Sequence, residues 1–70
     1  MKKYEYEKIS IMRDSERDRL RFINKKIEDA LKSTETVDDV VFNNLLADRT
    51  WHYGAYTALE GVLSAFEIDE

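Results

Sequence analysis

A single run of helix-breaking residues, STETVDD at 33–39, divides this chain of 70 residues, and no proline occurs anywhere in it. Proline is the strongest interrupter of a helix, so an uninterrupted helical segment is open to the sequence on either side of that run. Within it Thr36 is a good N-cap, and Asp39 stands three residues on, as in a capping box. Asp38 and Asp39 also suit the positive end of the helix dipole. From Val37 the helical pattern runs to about Phe66, with EIDE behind it. On the other side, Leu20, Ile23, Ile27, Ala30 and Leu31 share one helical face between Arg13 and Ser33. Extended backwards, the same seam picks up Glu16, Met12 and Ile9. Residues 1–12 then read as the first turns of helix 1 or as an N-terminal arm. KYEYEKISI also contains β-favouring types, Tyr4, Tyr6, Ile9 and Ile11, but their alternation breaks between Tyr6 and Ile9.

Two long helices joined by so short a connection predict an antiparallel hairpin over residues 13–70, with its turn at about 33–36. If the turn centres near residue 35, position i lies near position 70 − i. Ile27 then meets Phe42, Ile23 meets Leu46, and Leu20 lies near Arg49 and His52.

The second helix is apolar on two faces. One face holds Val41, Phe42, Leu45, Arg49, His52, Tyr56, Leu59, Leu63 and Phe66 and is the expected intramolecular seam. The other holds Val37, Val40, Ala47, Trp51, Gly54, Ala55, Ala58, Gly61, Val62 and Ala65, many of them small. From Trp51 to Phe66 only Glu60 carries a formal charge. A helix apolar on two faces is buried on two faces, and the simplest second partner is the same helix of another subunit. A chain this short without cysteine also needs more burial than one small core supplies. The expected architecture is therefore all-α: an antiparallel two-helix hairpin assembling as a homo-oligomeric helical bundle.

The first seam is interrupted midway by Arg49 and His52, and the hairpin arithmetic brings Glu16 of the first helix beside them. With the hydroxyl of Tyr56 these residues form an expected polar layer, which fixes register or holds a ligand. Asp48, four residues before His52, is an alternative partner for it.

Charge is divided along the chain. Residues 1–33 hold ten Lys/Arg and seven Asp/Glu, whereas residues 34–70 hold Arg49 and eight acidic residues, giving the net charge of −4. Arg13, Arg17, Arg21 and Lys25 recur every four residues on the first helix. Interleaved carboxylates make a solvated, salt-bridged face the default reading of this stripe. An anion-binding role is the sharper one, because guanidinium forks hold phosphate bidentately and Tyr or Trp rings stack on bases. A strand followed by two helices is similar to the ribbon-helix-helix DNA binders. Helices this long and a pI of about 4.9 argue against that likeness and against duplex nucleic acid as a partner. No apolar run reaches the ~20 residues of a membrane span, so a cytoplasmic protein without membrane contact is expected.

Little here supports catalysis. One histidine, no cysteine and no Gly-rich phosphate loop leave no nucleophile–base–orienter set and no metal cluster, so no enzyme activity, metal or cofactor is expected.

The stretches EKI at 7–9, ERDRLRFINKKIEDAL at 16–31 and LADRT at 46–50 resemble the phage-encoded cyclic-nucleotide sponges that counter CBASS defence. The resemblance covers under half the chain, and WHYGAY after Thr50 departs from the pattern. It implies a short helical hairpin that oligomerises and binds nucleotide signals between subunits. It further implies ligand contacts from a tyrosine near the N-terminus, Tyr4 or Tyr6, and from a basic residue of the first helix. The functional expectation from all these features is a small non-enzymatic interaction protein of a phage or mobile element, inhibiting or adapting a host protein through a preformed helical surface. The alternatives are an oligomeric sponge for a small anionic nucleotide and a purely structural oligomerisation module.

Overall fold

The computed structural model describes residues 1–33, 38–66 and 68. Among them the chain is two helices, α1 (Lys3–Lys32) and α2 (Asp39–Ala65), packed side by side with no strand. Arg13 meets Glu60 and Glu16 meets His52, so the helices run antiparallel as a hairpin. The rod measures 55 × 14 × 13 Å.

Helix α1 begins at Lys3, so the first dozen residues continue the helix and the strand reading of KYEYEKISI is set aside. The reason lies in which side chains are covered. Tyr6, Ile9, Ser10 and Arg13 are half-buried at steps of three, one and three, which is the period of a helix face. A strand would cover every second residue.

Helix α2 starts two residues later than expected. Its N-cap is Asp38, whose carboxylate accepts hydrogen bonds from the Val40 amide at 2.8 Å and the Val41 amide at 3.3 Å. Two otherwise unpaired amide donors are thus satisfied by one anion at the positive end of the helix. Thr36 and Val37, expected to open this helix, lie outside the described residues, as does most of the expected turn. At the other ends, the Ser33 amide donates to the Ala30 carbonyl and the Phe66 amide to the Val62 carbonyl, both at 3.3 Å.

The core is thin. Among the described residues Leu20, Ile23, Ile27 and Leu63 are the buried apolar side chains, with Phe42, Leu45, Leu46, Tyr56, Leu59 and Val62 half-buried around them. Four residues expected on the seam are corrected by the structure: Met12, Leu31, Val41 and Phe66 are all at least half exposed. Met12, Leu31 and Val41 each neighbour a covered residue, and a step of about 100° carries them past the edge of the one stripe that a single partner helix covers, whereas Phe66 follows the last helical residue with an extended backbone. Arg49 is likewise exposed rather than seated in the seam.

Such a shape leaves much surface open. The accessible area is 5546 Å², against about 4,600 Å² for a compact monomer of this mass. The radius of gyration is 16.0 Å, against about 11 Å for a compact chain of this length. Among the described residues no helix is long and apolar enough to cross a membrane.

Candidate functional site

The expected polar layer is divided by the fold. Glu16 of α1 and His52 of α2 do meet: His52 Nδ1 lies 2.5 Å from a carboxylate oxygen of Glu16, with both side chains about three-quarters buried. The Trp51 ring stands edge-on to His52, with centroids 5.1 Å apart. Asp48, the other candidate partner of His52, is exposed. Arg49 and Tyr56, a helical turn to either side of His52, line a cleft with α1 and make no hydrogen bond with Glu16 or His52.

A second polar link across the helices accompanies the Glu16–His52 contact. In it, Arg13 donates to Glu60 at 2.9 Å and to its neighbour Asp14 at 3.0 Å. Apolar seams between straight antiparallel helices tolerate slippage by a turn, and a slipped register would leave these polar groups half-buried and unpaired. A double-mutant cycle of Glu16→Ala and His52→Ala should therefore show a coupling of about 1 kcal/mol in urea unfolding. A coupling of zero would remove the pair from the account of register.

The basic stripe of α1 is also divided. Arg13 is committed to Glu60 and Asp14, whose hydrogen bonds hold its guanidinium above the ordinary range. Lys25 is committed to Asp29 at 3.1 Å, and that hydrogen bond raises it likewise. Arg17 lies 3.4 Å from Asp14 and 3.5 Å from Asp18. Its Nε is shut off from solvent and makes no hydrogen bond. Arg21 makes no ion pair among the described residues, and neither does Arg49 on the facing helix. Farther along α1, Phe22 is flanked by two cations, Arg19 at 5.4 Å and Lys26 at 4.9 Å from the ring centroid.

These arginines meet in one cleft. It has a volume of about 730 Å³ and is lined by Arg17, Leu20, Arg21 and Asn24 from α1 and by Arg49, Thr50, Tyr53 and Tyr56 from α2. Leu20 is its buried floor. Three of the eight lining residues are cationic and none is acidic, in a chain whose net charge is −4. The Thr50 hydroxyl donates to the Leu46 carbonyl at 3.1 Å, leaving its oxygen as an acceptor toward the cleft. Asn24, Thr50 and Tyr53 were not singled out from the sequence. The signal was present, because the rule pairing i with 70 − i sets Arg21 opposite Arg49 and Arg17 opposite Tyr53. Tyr4 and Tyr6, the contacts implied by the resemblance, sit at the far N-terminal end of α1 and line none of it.

The second face of α2 is open along its length. Val40, Ala47, Trp51, Gly54, Ala58, Gly61 and Ala65 are all exposed, Trp51 at 68%. Ala55 and Val62, assigned to the same face, are half-buried toward α1, and Val37 lies outside the described residues. None of the exposed residues from Thr50 to Phe66 carries a charge. A Cβ added at Gly54 or at Gly61 would meet nothing within 4 Å, so packing within the chain does not require either glycine.

Among the described residues no group of three or more His, Cys, Asp or Glu side chains is placed to hold a metal ion. Comparison with models of known protein families, with curated proteins and with solved structures finds no match.

Proposed function

We propose that the protein is a non-enzymatic interaction module that self-associates through the outer face of α2. In assembled form it presents a rigid helical surface to a host protein in the cytoplasm, as an inhibitor or adaptor carried by a phage or mobile element. The observation that carries self-association is the exposed face of α2, free of charge from Thr50 to Phe66, beside a core of four buried side chains among the described residues. Large exposed apolar patches on small proteins mark interaction sites, and interface centres are depleted in charge and rich in aromatics. The surface in excess of a compact monomer is about 900 Å², close to the ~800 Å² that each partner contributes to a standard interface.

The order of residues favours a second copy as the occupant. An antiparallel pairing of two α2 helices centred near residue 56 sets Trp51 opposite Gly61 of the partner subunit. The same pairing sets Gly54 opposite Ala58 of the partner subunit and Ala47 opposite Ala65 of the partner subunit. A large ring then falls into the gap left by a missing side chain, and the backbones approach closely between. A chain with a net charge of −4 also meets itself there without repulsion at the contact.

Glycine to alanine substitution tests this directly. In an isolated helix Gly54→Ala and Gly61→Ala each stabilise by up to about 1 kcal/mol, because alanine is the better helix former. At a close helix contact the added methyl groups push the partner away. The double variant should therefore be more helical as a monomer but associate at least tenfold more weakly in sedimentation. Stronger helicity with unchanged association would exclude a close contact at the glycines.

A further inference from the structure

The cleft between the helices is distinct from the outer face of α2, and Trp51 does not line it. We propose that it is a binding site for a small organic phosphate carrying a planar ring, with Arg21 and Arg49 as the phosphate clamp and Tyr53 as the ring platform. Arg21 and Arg49 approach one space from opposite helices, and neither has a carboxylate partner among the described residues. Several other cations of α1 are paired with acids, whereas Lys3, Lys8, Arg19 and Lys26 also make no ion pair among the described residues but lie outside the cleft. Arg13 has Glu60 and Asp14, Lys25 has Asp29, and Lys32 has Glu28 at 2.6 Å. Cations gathered without an acid repel one another, and an anion seated between them removes that repulsion.

The chemistry of the walls selects the class of anion. Guanidinium groups on two sides match the oxygens of a phosphate, which accepts paired hydrogen bonds from each fork. The apolar floor of Leu20 and the exposed ring of Tyr53 offer flat contact that a bare inorganic ion cannot use. Base or ring stacking on such a platform is sequence-tolerant and adds to a phosphate contact. Asn24, with no side-chain partner among the described residues, supplies an amide donor and acceptor for a ring edge or sugar hydroxyl. The volume, about 730 Å³, lies within the ~300–1,000 Å³ typical of small-molecule sites.

Titration calorimetry on the full chain, with AMP, ribose 5-phosphate, adenosine and inorganic phosphate as probes, separates the two halves of this proposal. AMP should bind most tightly and ribose 5-phosphate more weakly, with adenosine and inorganic phosphate weakest. Arg21→Ala and Arg49→Ala should each weaken AMP by about tenfold or more. Tyr53→Ala should weaken AMP while leaving ribose 5-phosphate unchanged. Both arginines are exposed, so circular dichroism should show the variants folded. Lys25→Ala should bind as the parent does, because Lys25 pairs with Asp29 and does not line the cleft. Trp51→Glu should also keep AMP binding, which separates the fate of the cleft from that of the α2 face. No AMP binding at millimolar concentration, or binding unaffected by Arg49→Ala, would overturn the site. Ribose 5-phosphate binding as tightly as AMP would overturn the ring platform.

Discussion

Ile23→Ala should destabilise the protein by about 3 kcal/mol and leave much of the chain unfolded at room temperature. Ile23 is 2% exposed and is the most deeply buried of the core side chains. Removing its outer carbons forfeits their transfer free energy and opens a cavity that two straight helices cannot close without sliding past Glu16–His52. In a large protein such a loss is absorbed. Here the buried apolar side chains among the described residues are Leu20, Ile23, Ile27 and Leu63, so each holds a large share of the core. Leu31→Ala is the matched control, because Leu31 is 71% exposed, and it should change stability by under about 0.5 kcal/mol. Urea unfolding followed by circular dichroism reads both. Equal losses at the two positions would mean that the helices do not meet along this seam.

Trp51→Glu should have its main effect on assembly rather than on the hairpin. Within the chain Trp51 contacts the His52 ring edge-on and is otherwise largely open to solvent. Its replacement therefore costs the monomer little. At a self-complementary face, each copy would instead bury a carboxylate where the other presents apolar surface. Uncompensated burial of charge costs several kcal/mol, enough to weaken association by about a hundredfold or more. Tyr4→Glu, on an equally exposed aromatic of α1, should leave assembly unchanged. If self-association supplies stability that the thin core lacks, the thermal midpoint of the parent should rise with protein concentration, and that of Trp51→Glu should not.

The hairpin was legible because its determinants are local and periodic. Proline is absent, one polar run interrupts the pattern, and Leu20, Ile23 and Ile27 recur at helical spacing and are the residues found buried. Counting about a turn centred near residue 35 also brought Glu16 to His52, because antiparallel helices of equal rise keep a constant sum of positions. The edges of the seam were less legible. Met12, Leu31 and Val41 are apolar, but hydrophobicity alone does not say how wide a stripe one partner helix covers. The cap was misread by two residues because Thr36 and Asp38 are both good caps, and sequence spacing does not rank them. The cleft was hidden for a different reason. Arg17 and Arg21 looked like members of one solvated stripe with Arg13 and Lys25. Only the placement of Glu60 and Asp29 shows which cations are neutralised and which face Arg49 and Tyr53.

The most direct test of the account is sedimentation equilibrium of the parent and of Trp51→Glu over a range of concentrations. The parent mass should reach two or more times 8.3 kDa, and the Trp51→Glu mass should fall to that of the single chain. A parent that stays a single chain at every concentration, and still unfolds cooperatively at a midpoint independent of concentration, would contradict the account. The exposed face of α2 would then have no second copy to cover it.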